Sequence, residues 1–330
     1  MNLSEAKRAR LEALSNSRGV IAAVAVDQRK SLRRMLGGCA ALPDSAISDA
    51  RLGEFKSAVT RGLSPHASAI LVDPEYGAAA FSERAPACGL IATYEMDGFE
   101  NPRPHRMLAL LPRFSAARLR EMGADAVKIL LSYSLEDDAN EEKRVLIERI
   151  GHECEAAGLA FFLEPVSYDP DGLDPRSVEY ARLKPHIVTD IMREFSKDIY
   201  KVDVLKVEFP VNASYVEGSP VFEGPAAYSM SEALSWFREA DAAASRPYIY
   251  LSAGVRAEHF RASLGMAAES GSRYSGVLCG RATWQDGAPV YMREGLPAFE
   301  GWLAAEGVRN IQAINACLEA ATPWSHRLHS

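Results

Sequence analysis

The sequence predicts an α/β protein built as a single (β/α)8 TIM barrel, with a helix before the first strand and a helical extension after the last. Three observations predict it. Eight apolar, strand-like runs alternate with amphipathic stretches along 330 residues, the pattern of parallel strands joined by crossover helices. Eight such units suffice to close a barrel, and the length exceeds the roughly 250 residues of a plain barrel by less than a small domain, so residues 1–330 are expected to form one domain. Charged residues recur inside several runs at even spacing, on one face, as strands lining a lumen require. A doubly wound open sheet is the competing architecture.

In chain order, the N-terminal MNLSEAKRARLEAL is a charged helical pattern. The strand candidates are GVIAAVAVDQ (19–28), ASAILVDPEY (67–76), GLIATYEM (89–96), DAVKILLSY (125–133), LAFFLEPVSY (159–168), VDVLKVEFPV (202–211), YIYLSAGV (248–255) and SGVLCGRATW (275–284). Between them, EEKRVLIERIGHECEAAG has helical spacing, with Val145, Leu146, Ile150 and Cys154 near one stripe and Gly158 at its end. VDVLKVEFP carries the clearest alternation: Val204, Lys206 and Glu208 share one face, and Leu205, Val207 and Phe209 the other. The apolar face meets helices and the charged face meets the lumen. Lys128 with Leu130 and Ser132, and Glu164 with Phe162, follow the same rule.

Hydrophobic residues make up 48% of the chain and charged residues 25%, ordinary for a protein with a substantial core. A net charge of −7 gives no general attraction to nucleic acid or an anionic membrane, so any phosphate must be captured locally. There is no 18-residue apolar run and no signal-peptide centre, and a cytoplasmic location is expected. The five cysteines are scattered without a CxxC pair and read as reduced thiols. The seven histidines are dispersed and form no zinc-ligand pattern, so neither metal nor other cofactor is expected. A homo-oligomer is compatible with the sequence, which carries no signature of one.

A lysine or glutamate inside an apolar strand is costly unless paired or used. Lys206 reads in two ways. Burial and a neighbouring cation, Lys128, favour the neutral amine that attacks a carbonyl; alternatively Lys206 is half of a lumen ion pair with Glu208 or Glu164. Glu164, near the C-terminal end of strand five where barrel enzymes carry their chemistry, is either a general acid and base or the partner that orients a lysine. Asp27 ends strand one and is followed by Gln28 and Arg29, which can also face a ligand, whereas Asp73 before Pro74 reads as a turn residue. Strands seven and eight exit through Ser252, Ala253 and Gly254, and through Gly280 with Arg281, where barrels hold phosphate on backbone N–H groups. Cys279 has no base partner and reads as a packed thiol. NPRPHR (101–106) reads as a solvated loop.

DQR (27–29), SPHASAILVDPEYG (64–77), GADAVKILLSY (123–133), FFLEPVSYD (161–169), VDVLKVEFPVN (202–212), YIYLSAGV (248–255) and GVLCGRATW (276–284) together resemble the class I tagatose 1,6-bisphosphate aldolase family. The likeness runs from the first helix to the closing NIQAINACLEAATPW. It implies a Schiff base on Lys206, acid and base work by Glu164, a second lysine at Lys128, and substrate contacts at Asp27, Gln28, Ser252 and Arg281. It also implies a small sugar phosphate as partner, tagatose 1,6-bisphosphate or fructose 1,6-bisphosphate, cleaved to dihydroxyacetone phosphate and glyceraldehyde 3-phosphate without metal. One departure is Pro165 after Glu164, as in the related sulfofructose 1-phosphate aldolases, which leaves the distal group open between phosphate and sulfonate. A metal-dependent aldolase would need histidine ligands at strand ends. From another class, the barrel reads as a sugar-phosphate-sensing binding protein that regulates a partner without turnover, against which Lys206, Glu164 and Lys128 weigh jointly.

Overall fold

The computed structural model describes residues 3–98, 103–252 and 254–328. Eight parallel strands close into a barrel: β1 (Ile21–Ala25), β2 (Ala69–Val72), β3 (Gly89–Thr93), β4 (Ala126–Tyr133), β5 (Ala160–Ser167), β6 (Val204–Val207), β7 (Tyr248–Leu251) and β8 (Gly276–Cys279). β1 pairs with both β2 and β8, with Ile21 opposite Gly276 and Val24 opposite Cys279. That closure rules out the open sheet.

The strand faces sort as alternation predicts. Ala23, Leu71, Ile91, Ala126, Phe162, Val204, Ile249 and Leu278 share one buried cluster in the lumen. Leu205, Val207 and Phe209 join the larger cluster between strands and helices. Helix Asn140–Ala157 ends at Gly158 in the left-handed region, φ 66°, where a side chain would be strained. Its buried stripe, however, runs through Lys143, Ile147, Ile150 and Cys154. At about 100° per residue these four align, while Leu146 falls on their flank and Val145 behind them, both half-buried.

Serine starts several helices. Ser4, Ser48, Ser115, Ser177 and Ser229 each accept a hydrogen bond from a first-turn N–H, and Ser229 with Glu232 completes a capping box. The two extensions of the chain close the bottom of the barrel: Leu11 and Leu14 from the first helix, and Trp324 and Leu328 from the C-terminal segment, join the lumen cluster. Arg18 ties them together by donating to the carbonyls of Leu318, Glu319 and Ala321. Helix Leu296–Trp302 packs on helix Asp49–Leu63 through Phe299 and Phe55, stacked at 4.6 Å. The lumen therefore opens at the C-terminal ends of the strands. Among the described residues no helix is long and apolar enough to cross a membrane.

Candidate active site

A cavity of about 340 Å³ lies at those C-terminal ends, lined by Asp27, Lys128, Glu164 and Lys206 among others. Strand register brings them together. Leu130 of β4 lies opposite Glu164 of β5, and Phe162 opposite Val204 of β6, so Lys206 stands level with Glu164 while Lys128 sits one layer deeper, opposite Phe162. Oε1 of Glu164 is 2.7 Å from Lys206 Nζ, and its Oε2 is 2.7 Å from Lys128 Nζ. Lys128 also donates to Asp27 at 3.2 Å and to Glu95 at 2.9 Å. All five side chains sit deep in the lumen.

The two lysines are not equivalent. Burial pushes the Lys128 ammonium down, but Glu164, Glu95 and Asp27 outweigh it and hold its pKa well above the usual lysine value. Among the described residues, Lys206 meets one carboxylate at ion-pair distance, Glu164. Glu208, the other partner considered for Lys206, instead accepts from the Ser167 N–H and hydroxyl at 2.8 and 2.5 Å and pairs with Lys184 at 3.2 Å. For Asp27, burial raises the carboxyl, but Lys128, Lys206 and Lys56 together bring it down to about 2. Glu95 goes the other way: burial exceeds the pull of Lys128 and Arg29, and Asp27 adds repulsion, so its pKa is raised.

Among the buried charges that the sequence reading does not single out, Glu95 and Lys56 bear on the site. Glu95 follows Ile91 and Thr93 along the lumen face and lies within the third strand candidate, so period 2 points to it, but the observed strand ends two residues earlier, at Thr93. Lys56, on helix Asp49–Leu63, is fully buried, donates to the carbonyls of Val26 and Gln28 at 2.6 and 2.7 Å, and pairs with Asp73 at 2.5 Å. It pins the end of β1 from behind. Asp73 also accepts the Tyr76 N–H at 2.9 Å, the turn role expected of it.

Gln28 lines the cavity, and its Oε1 is buried without a hydrogen-bond partner among the described residues. Arg29 reaches the same wall but is engaged, donating to Glu75 and to the Glu95 carbonyl, both at 2.8 Å. On the adjoining wall, formed by the exits of β7 and β8 beside β1, are Ser252, Gly254, Gly280 and Arg281, while Ala253 lies outside the described residues. Gly254 has φ 72°, and a Cβ there would fall 2.1 Å from the Arg281 guanidinium, so glycine lets the loop lie against that cation. A Cβ on Gly280 would come within 2.9 Å of the Ala25 carbonyl. Arg281 meets no carboxylate at ion-pair distance among the described residues. Burial pushes the Cys279 thiol up to about 12, as suits a packed thiol.

Pro165 is buried on β5 between Glu164 and Val166, and it is these two neighbours that line the cavity. The departure from the tagatose pattern therefore lies outside the lining. Residues 103–106 are exposed, as a solvated loop should be, yet Arg106 borders the cavity; residues 101 and 102 lie outside the described set. Among the described residues, no group of three or more His, Cys, Asp or Glu side chains is disposed to hold a metal ion.

Comparison with known proteins shows the family. The family model described as DeoC/LacD family aldolase matches residues 21–286. Tagatose 1,6-diphosphate aldolase 2 of Enterococcus faecalis is 45% identical over 327 residues, covering 98% of this chain and 97% of the relative. Tagatose 1,6-diphosphate aldolase 1 of Streptococcus mutans is 43% identical over 330 residues, covering 99% and 100%. In fold, the chain is similar to fructose-bisphosphate aldolase from Plasmodium falciparum, solved in complex with TRAP and a small molecule inhibitor, with TM-score 0.65 at 12% identity over 95% of this chain and 96% of that one. A family model that spans most of the barrel, and relatives 45% and 43% identical along nearly the whole chain, mean that the chain belongs to the DeoC/LacD family of aldolases.

Proposed function

We propose that this chain is a class I aldolase that cleaves tagatose 1,6-bisphosphate, with fructose 1,6-bisphosphate as a second substrate, through a Schiff base on Lys206. The observation that carries the assignment is the unequal sharing of carboxylates: three surround Lys128 and hold it charged, while among the described residues Lys206 meets only Glu164 at ion-pair distance. A permanently charged amine cannot attack a carbonyl. Lys206 is thus the nucleophile and Lys128 the fixed cation.

Lys206 Nζ attacks C2 of the open-chain ketose, and loss of water from the adduct leaves a protonated imine. Glu164, within 2.7 Å of Lys206, takes the proton of the C4 hydroxyl. The C3–C4 bond breaks, its electron pair moves into the imine to give an enamine, and glyceraldehyde 3-phosphate leaves as the aldehyde. Return of the proton to C3 and addition of water release dihydroxyacetone phosphate and free Lys206. Asp27 and the unpartnered Gln28 Oε1 meet substrate hydroxyls. Arg281, with Ser252, Gly254 and Gly280, holds the C1 phosphate, and this remote contact aligns the scissile bond.

The reading includes a single barrel domain acting in the cytoplasm without metal or cofactor. Sulfofructose 1-phosphate, raised by Pro165, shares the half of the substrate that becomes dihydroxyacetone phosphate. A turnover assay on tagatose bisphosphate, fructose bisphosphate and sulfofructose phosphate, with products identified, is the test. Cleavage of the first two at comparable rates is expected. Preference for the sulfonate would reassign the substrate, and tight binding of all three without products would make the barrel a sensor.

A further inference from the structure

Three arginines line the cavity, and they are used differently. Arg29 is paired with Glu75 at 2.8 Å. Arg281 lies against Gly254 on the wall formed by the exits of β7 and β8. Arg106 comes from the loop between β3 and β4, is exposed, and meets no carboxylate at ion-pair distance among the described residues. Of the acids near it along the rim, Asp97 accepts the Lys30 N–H at 3.0 Å and Glu208 is tied to Ser167 and Lys184. Asp137, with Glu136 and Asp138 on the outer side of Arg106, is held by Lys143 and His105, so among the described residues Arg106 is a cation at the mouth without an ion-pair partner.

Its backbone is held in a costly conformation. His105 and Arg106 both have positive φ, 54° and 49°, which side-chain-bearing residues adopt only when surrounding contacts impose it. The contacts are present. His105 donates through Nδ1 to Asp137 Oδ1 at 2.9 Å, and the Arg106 guanidinium lies 4.3 Å over the Tyr168 ring. Asp137 is itself anchored by Lys143 at 2.8 Å, by the Ala139 N–H at 2.9 Å and by the Tyr168 hydroxyl. A strained turn, latched to a buried carboxylate and stacked on an aromatic ring, holds at the substrate cavity a guanidinium that meets no carboxylate at ion-pair distance among the described residues. Strain kept at such a place points to use rather than accident.

We propose that Arg106 binds the anionic group on the distal carbon of the ketose, and that the His105–Asp137 contact positions it there; this rests on the aldolase reading above. A ketose 1,6-bisphosphate carries two dianions at opposite ends, and Arg281 can serve only one of them. The same guanidinium would take a distal sulfonate, which is also an anion with three acceptor oxygens. Arg106 therefore sets specificity for substrates charged at both ends, and it plays no part in forming the Schiff base.

The test is steady-state kinetics of the full-length wild type, Arg106→Met, Arg106→Lys and His105→Ala on a ketose 1,6-bisphosphate and on fructose 1-phosphate, which lacks the distal anion. Arg106→Met should raise KM for the bisphosphate at least tenfold while changing kcat/KM for fructose 1-phosphate less than twofold. Arg106→Lys should recover part of the loss, and His105→Ala should give the same split at smaller size. If the wild type prefers a sulfonated ketose 1-phosphate, the split should be read on that substrate. Equal losses on both substrates, or no loss on the doubly charged one, overturn the proposal. Wild type that cleaves neither ketose overturns the aldolase reading and the role of Arg106 with it, so the wild-type arm tells the two failures apart.

Discussion

Lys206 and Lys128 are bound to opposite oxygens of one carboxylate, each 2.7 Å from Glu164. The arrangement lets one residue serve as base for the substrate while remaining tied to a fixed cation below it. It also separates the lysines by environment rather than by depth alone. Removing either one should therefore have a different consequence.

Reduction with borohydride in the presence of dihydroxyacetone phosphate should inactivate the protein and add one reduced triose phosphate per chain, mapped by peptide mass to Lys206. Lys206→Met should abolish labelling and turnover with little effect on folding, because Glu164 keeps Lys128 as its partner. Lys128→Met leaves Asp27, Glu95 and Glu164 without their shared cation, and urea unfolding should register a loss of about 3–5 kcal/mol. A label found on Lys128 would reverse the two roles.

Arg281→Ala removes a charge-assisted phosphate contact and should cost about 2–4 kcal/mol in kcat/KM for phosphorylated ketose. Gly254→Ala should raise KM in the same direction, since its Cβ cannot share space with the Arg281 guanidinium. An unphosphorylated ketose should be affected much less by either change. Equal losses with and without phosphate would show that Arg281 acts on the lysines instead.

The Asp27 carboxyl, lowered from 3.8 to about 2, links folding to acid. A depressed carboxylate stabilises the native state above its unfolded pKa, and the contribution fades as pH falls through the folded value. It amounts to about 2 kcal/mol. Asp27→Asn should thus lower urea stability relative to wild type at pH 5, and the gap should narrow between pH 4 and pH 2. A gap that stays constant with pH would mean that Asp27 contributes through packing alone.

Exhaustive chelation should leave turnover unchanged, an expectation that rests on histidines too dispersed in the sequence to gather at strand ends. Activity lost to chelator and restored by zinc would move the reaction to metal-assisted chemistry.

Alternation along a strand is a local property of the backbone, so the faces that Lys128, Glu164 and Lys206 occupy could be read from residue order, and eight alternating units sufficed for the barrel. Turn chemistry is also local. Gly158 and the small residues after β7 and β8 were legible for that reason. Which carboxylate meets which lysine was not. Glu164 and Glu208 are equivalent by pattern, and only the register between β5 and β6, together with Lys184 and Ser167 from elsewhere, gives Glu164 to Lys206. The roles of Glu95, Lys56 and Arg106 were not legible for the same reason: what each side chain meets depends on packing between elements distant in the chain. Side-chain chemistry is written residue by residue, but distances of a few ångströms between strands and helices are set by the closure and packing of the whole barrel.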